Sequence, residues 1–266
     1  MDSRSRLPHA SLDCRSRRSK AEKIAALVSR HVDLSGAHVL DVGTGSGLIA
    51  EHFSQLVGDR GRVVGVDRVN QMQTDAAEFV PVSSTALPFP DASFDVVITN
   101  HVIEHVGDRA DQKHHLQEIG RVLKPAGLVY LAMPNRWSPV EPHFKLPLLS
   151  WLPRQLRTPY VRLARRGRAY DCDPMTRGEL VGLCDDVGLH AEEITSEVIR
   201  FMARHELGSG LGSVVLKCPS CILRWTMPII PTVVFILTRR PGTACASNPQ
   251  TSGGSTSGSC GAAVRG

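Results

Sequence analysis

Nothing in this 266-residue sequence stays apolar for long enough to cross a bilayer. The longest such stretch, Trp225 to Thr238, falls short of the roughly 20 residues a spanning helix needs and contains Pro228 and Pro231. A secretory signal is also lacking, because the basic start is not followed by an apolar segment. The Arg- and Ser-rich start has the composition of a transit peptide, but Asp2 and Asp13 count against that reading. Cys218-x-x-Cys221 has no second pair to complete a zinc site, and the seven cysteines are odd in number and scattered. They are expected to be free thiols in a reducing compartment. The chain has no RNA-binding module and no N/D-P-P-Y-type motif. Its net charge of +5 is concentrated in residues 4–20 and 154–168, so nucleic acid is not the expected partner. These absences point to a cytoplasmic protein whose only expected membrane contact is peripheral.

What is present is an ordinary globular composition, with 42% hydrophobic and 21% charged residues, enough for a sizeable core. Residues 1–18 are expected to be a disordered basic leader and 241–266, rich in Gly, Ser and Thr, a disordered tail. Between them, over 19–240, strand-like and helix-like runs alternate. Strands are predicted at 38–42, 62–67, 94–100, 128–133 and 232–239. Helical periodicity is predicted near 24–32, from Gly47 onward, over 112–123 and over 176–189. This alternation predicts an α/β fold: a Rossmann-like, doubly wound, mostly parallel sheet with helices on both faces. Residues 134–175 carry Pro134, Pro139, Pro142, Pro147, Pro153, Pro159 and Pro174 and are read as an inserted cap of short helices and turns.

The strongest local signal is "VLDVGTGSG" at 39–47. A strand carrying Asp41 runs into Gly43, Gly45 and Gly47 at alternate positions, so that the backbone can turn sharply and a ligand can approach closely. A dinucleotide fingerprint would require Gly or Ala where Leu48 stands, and a P-loop lysine is missing. An acidic residue in front of such a loop suits the ammonium of an amino-acid moiety. Asp67, at the end of the second strand, suits a grip on ribose hydroxyls. An adenosine with an amino-acid tail is S-adenosylmethionine.

The segments "VLDVGTGSG", "VVGVD", "ALPFPDASFDVVITNHVIEHV" and "EIGRVLKPAGLVYLAMPN" resemble the class I S-adenosylmethionine-dependent methyltransferases. The likeness is strongest to the group containing the ubiquinone and menaquinone biosynthesis enzymes and covers residues 20–135. It implies that Asp41, Gly43, Thr44, Gly45 and Gly47 hold the methionine part, that Asp67 holds the ribose, and that Asn100 lines the cofactor. The positions that would frame the adenine are Ser83 and Ser84, where the family often has Asp-Ala, so a hydroxyl or backbone group has to serve. The stretch between Asp67 and Phe79 is short and polar, and the usual helix there is expected to be abbreviated.

Methyl transfer from a sulfonium is an in-line displacement, and the protein mainly has to align its reactants. A hydroxyl acceptor also needs a base near neutrality. His101 and His105 in "NHVIEHV", and His143 in the cap, are the candidate catalytic residues. His101-x-x-Glu104-His105 matches the letters of a zinc motif, but that motif needs a helix presenting both histidines, whereas this run starts at a strand end; no metal is expected, and a divalent ion that orients a substrate oxygen is the lesser alternative. An apolar lid beside the arginines of 154–168 suggests an acceptor that is small, quinone-like or linked to a lipid or glycan, methylated on oxygen or on an activated carbon. A non-catalytic cofactor- or partner-binding module and an RNA or protein methyltransferase are the alternatives.

Overall fold

The computed structural model describes residues 14–219 and 230–241. Helix α1 (Cys14–Val28) is followed by β1 (His38–Val42), α2 (Leu48–Val57), β2 (Arg62–Asp67) and β3 (Glu78–Pro81). Next come β4 (Phe94–Asn100), α3 (Arg109–Val122) and β5 (Leu123–Pro134). The cap holds β6 (Val140–Glu141), β7 (Leu146–Pro147) and α4 (Arg154–Leu163). The chain then runs through α5 (Arg177–Asp186), β8 (Leu189–Glu193), α6 (Thr195–His205), α7 (Ser209–Lys217) and β9 (Thr232–Arg239).

The main sheet has seven strands in the order β3-β2-β1-β4-β5-β9-β8. The first five are parallel, with His38 opposite Arg62 and Val39 opposite Val96. β9 runs antiparallel to both β5 and β8. Successive side chains of a strand point to opposite faces, and both faces here are apolar. Val39, Val63, Val96 and Ile98 pack under Ile24 and Leu27 of α1 and Ile49 and Phe53 of α2. Leu40, Val64, Val97 and Val129 pack under Leu116 and Ile119 of α3 and Leu180 of α5. The predicted doubly wound sheet is therefore observed. The strand order reverses between β1 and β4, which opens a crevice at their carboxyl ends where such sheets bind ligands.

Several boundaries differ from expectation. Helix α1 begins at Cys14, so residues 14–18 are helical and not part of a leader ending at 18. Ala21, Ile24 and Leu27 anchor that helix in the core, which outweighs the polar composition of its first turns. Residues 1–13 and 242–266, including nearly all of the expected tail, lie outside the described residues. Strands β3 and β8 and helices α6 and α7 were not predicted; the short edge strands lack alternating patterning. Between β2 and β3 there is no helix, as the short polar sequence implied. The cap has its own small core of Phe144, Leu146, Leu149, Val161 and Cys172. No helix among the described residues is long and apolar enough to cross a membrane.

Candidate active site

Past Val42 the backbone enters the left-handed region at Gly43, Gly45 and Gly47, with φ of 71°, 54° and 76°. At Gly43 a Cβ would stand 2.5 Å from Val102 Cγ2, and at Gly47 one would stand 2.9 Å from Met72 Cε. Glycine is thus required twice over, by conformation and by space. The Gly43 and Thr44 amides donate to the Val66 carbonyl at 2.8 and 3.1 Å, tying the loop to β2. At the end of β2 the Asp67 carboxylate accepts from the Gly45 amide at 3.0 Å and from the Arg68 amide at 2.6 Å. Each oxygen keeps lone-pair capacity for further donors.

Asp41 sits behind this loop, 1% exposed, where its carboxylate accepts from Thr44 Oγ1 at 2.8 Å. Burial raises its pKa, against the hydrogen bond from Thr44 and the charge of Arg17, to about 7. Loss of hydration disfavours the anion more than those partners favour it.

The loop forms one end of a cleft of about 830 Å³. This lies within the roughly 300–1,000 Å³ usual for small-molecule sites. Gly43, Gly45, Asp67, Ser83, Ser84 and Asn100 line it, as do His101, His105 and His143. Asp41, Thr44 and Gly47 shape the loop from behind and are not on the cleft wall. Sequence reasoning missed Arg17 and Lys20 of α1, which close the cleft above Gly45. Arg17 lay in the expected leader and Lys20 just past its end, and only the fold of α1 against the sheet brings them here.

At the opposite end lies a polar cluster. His101 leaves β4 with φ of 59°, an uncommon conformation for a non-glycine residue. Its Nε2 is 3.3 Å from Thr232 Oγ1 and its Nδ1 is 3.2 Å from Glu104 Oε1. Glu104, in the short turn 103–105, is 1% exposed. From the cap, His143 brings Nε2 to 3.4 Å from the same Glu104 oxygen. His143 Nδ1 is 2.8 Å from Oε1 of the buried Glu141, whose Oε2 accepts from the Phe144 amide at 2.6 Å. Burial pulls the His143 pKa down, but the hydrogen bonds to Glu104 and Glu141 prevail and raise it to about 9. Despite its burial, Glu104 is held well below the usual carboxylate range by His101 and His143. The His105 ring packs edge-on against His143 at 5.0 Å, and its Nδ1 lies 3.8 Å from Cys172 Sγ.

Not every polar group of the cap reaches the cleft. Tyr170 packs on Phe144 at 5.4 Å, with the Arg157 guanidinium 5.6 Å from its ring centre, and belongs to the cap core. The arginine run divides: buried Arg157 donates to the carbonyls of Leu152 and Ser150, and Arg154 pairs with Asp173. Arg162, Arg165, Arg166 and Arg168 are exposed. Trp137 and Trp151 stack edge-on at 6.4 Å on the outer surface of the cap, about half exposed.

Residues 40–131 match the model of a methyltransferase domain family. The ubiquinone/menaquinone biosynthesis C-methyltransferase UbiE of Hahella chejuensis is 35% identical over 172 residues, which are 56% of this chain and 68% of that enzyme. Its namesake from Vibrio campbellii is 34% identical over 112 residues, 36% of this chain and 42% of that enzyme. Among solved structures, a chain from the complex of the Haloferax volcanii Trm112 methyltransferase activator with a methyltransferase aligns with a TM-score of 0.54. That alignment has 19% identity and covers 87% of this chain and 96% of the other. The YcgJ protein of Bacillus subtilis aligns with a TM-score of 0.51 at 18% identity, covering 83% of this chain and 99% of that one. These structural likenesses are to the fold.

Proposed function

This chain belongs to the class I S-adenosylmethionine-dependent methyltransferases, and from that membership we propose that it methylates a ring carbon of a quinone-like phenol. The observation that carries this reading is one continuous cleft, with the glycine loop and Asp67 at one end and three histidines at the other. The names of its relatives, C-methyltransferases of quinone biosynthesis, favour carbon over oxygen.

S-adenosylmethionine is the cofactor of this enzyme, and when bound it supplies a methyl group already activated by positive sulfur. The residues fit it. Asp67 retains acceptor capacity for ribose hydroxyls, and Gly43 and Gly45 line the cleft without side chains where the methionine part would lie. Arg17 and Lys20 face the same end and suit its carboxylate. Ser83 and Ser84 offer hydroxyls to the adenine.

At the other end His105 takes the proton of the acceptor hydroxyl. The ring carbon made electron-rich by that loss forms its bond to the methyl group as the bond from methyl to sulfur breaks. The proton on that carbon then leaves to water and restores the aromatic ring. His143, held between Glu104 and Glu141, suits positioning of the acceptor oxygen better than proton removal.

An acceptor of this kind is lipid-soluble, and the outer surface of the cap suits a lipid surface. Exposed Trp137, Trp151, Leu156 and Leu163 stand beside the exposed arginines of 162–168.

Titration calorimetry with S-adenosylmethionine and S-adenosylhomocysteine, followed by transfer of a labelled methyl to hydroxylated rings, tests the reading. Micromolar binding and label on ring carbon are expected. Label on oxygen would return the acceptor to the hydroxyl class. No binding of either cofactor form would favour a non-catalytic module. Sedimentation with anionic and neutral vesicles tests the membrane contact, which should be lost on the neutral ones.

A further inference from the structure

We propose that His101, Glu104 and His143 form a site for one divalent transition-metal ion, of which Zn²⁺ is the natural occupant class. The ligand set stands on its own geometry; only the role of the ion rests on the proposed function.

One potential ligand atom from each of His101, Glu104 and His143 lies within 4.8 Å of the others. Glu104 Oε1 is 3.2 Å from His101 Nδ1 and 3.4 Å from His143 Nε2. Charge-assisted hydrogen bonds are shorter, at about 2.7–2.9 Å, and the neighbouring contact between His143 and Glu141 has that length, 2.8 Å. Ligand atoms on a tetrahedral ion with bonds of about 2.0–2.1 Å stand roughly 3.4 Å apart. The spacing around Glu104 therefore suits a shared cation better than two hydrogen bonds. Glu104 Oε2 is buried with no hydrogen-bond partner. Such an oxygen is costly to leave unsatisfied, and an ion held by both carboxylate oxygens of Glu104 would give it a partner.

The surrounding contacts are those of metal-binding histidines. The second nitrogen of each ring is engaged: His143 Nδ1 by Glu141, and His101 Nε2 by Thr232 Oγ1. The Glu141 carboxylate makes His143 Nδ1 a donor and leaves Nε2 for the ion, and the Thr232 hydroxyl orients the His101 ring, as outer-sphere partners of metal ligands do. Glu141 is fixed in turn by the Phe144 amide. His101 holds a left-handed backbone that aims Nδ1 at Glu104. Two imidazoles and one carboxylate select a first-row transition ion over Mg²⁺ or Ca²⁺, which prefer oxygen ligands throughout. His105, His143 and Cys172 make a competing set. Cys172 is the poorer ligand there, because its thiol is buried beside carboxylates that disfavour the thiolate.

His101 and His143 both line the cleft, so an ion between them has its remaining coordination positions on the acceptor side. There it would bind the acceptor oxygen and favour its deprotonated form. It would also join the cap to the end of β4.

The test uses the full chain, stripped with a chelator and titrated with Zn²⁺ by calorimetry and with Co²⁺ by visible absorption. One ion per chain with micromolar or tighter affinity is expected. Glu104→Gln and His143→Ala should each weaken binding at least tenfold and abolish the cobalt bands. Glu141→Gln should weaken it about tenfold. Cys172→Ser should leave it unchanged. Affinity for S-adenosylhomocysteine, measured on every variant, reports folding and stands apart from the metal readout. Absence of binding to the stripped chain, or binding that survives Glu104→Gln and is lost in Cys172→Ser, would overturn the assignment.

Discussion

At the cofactor end of the cleft the wall is largely backbone: three left-handed glycines and amides anchored to Val66 and Asp67. At the acceptor end it is side chain, with His101, Glu104 and His105 following β4, His143 and Cys172 from the cap, and Thr232 at the start of β9. A backbone site needs a short contiguous sequence and tolerates few residues at its turns. A side-chain site is assembled from distant segments and can exchange its chemistry while the scaffold persists. Mutations at the two ends should therefore separate into those that move cofactor affinity and those that move turnover.

The largest effect is expected at Asp41. Burial raises its pKa from the ordinary 3.8 to about 7, so the folded protein keeps a proton that the unfolded chain releases between these values. Stability should fall as pH rises from about 4 to 7 and level off above, by up to about 4 kcal/mol in total. Asp41→Asn should remove that slope and raise the melting temperature at pH 8, while weakening S-adenosylmethionine binding. A variant with the same slope as the parent would show that the proton resides elsewhere.

Gly43→Ala comes next. A left-handed φ and a contact of 2.5 Å with Val102 Cγ2 act together. A destabilisation of about 3 kcal/mol is expected, read by chemical denaturation, with cofactor binding lost. Wild-type stability would mean that the loop relaxes and that its shape is not fixed by backbone alone.

The same contrast explains what the sequence disclosed. Strands β1, β2, β4 and β9 were legible to the residue because each is a short β-branched run bounded by polar or glycine positions. The glycine loop was legible because Gly43, Gly45 and Gly47 lie within one turn of chain. Edge strands β3 and β8 were not, since half-exposed strands such as "EFVP" and "LHAEE" lack a strong pattern. At the acceptor end His101, Glu104 and His105 could be listed, but no local signal links them to Glu141, Cys172 or Thr232. Thr232 lies 131 positions from His101, and only the antiparallel insertion of β9 beside β5 brings it near. Arg17 fell in the expected leader and Lys20 just outside it; helical periodicity was legible only from Ile24, and the earlier start of α1 at Cys14 is what carries both residues to the cleft.

His105→Ala tests the acceptor end directly. As a proton acceptor on the cleft wall, outside the proposed metal ligands, it should carry about 100-fold in turnover with S-adenosylhomocysteine affinity unchanged. Full activity would show that the acceptor loses its proton without His105. Lost affinity would merge the two ends, since a residue of the acceptor cluster would then be shaping the cofactor site.

Asp67→Ala should have the smallest effect and the cleanest direction. The carboxylate anchors the Gly45 and Arg68 amides and keeps capacity for two ribose hydroxyls. Alanine removes those acceptors, but both amides lie at a half-open edge where water can replace part of the loss. About tenfold weaker binding of S-adenosylmethionine is therefore expected from calorimetry, with the melting temperature nearly that of the parent. Asp67→Asn keeps one acceptor oxygen and should fall between the two. If both variants bind like the parent, the ribose is held elsewhere and the backbone loop acts without a side-chain partner. If affinity falls a thousandfold, the carboxylate organises the loop itself, and the cofactor end depends on a single side chain as the acceptor end does on Glu104.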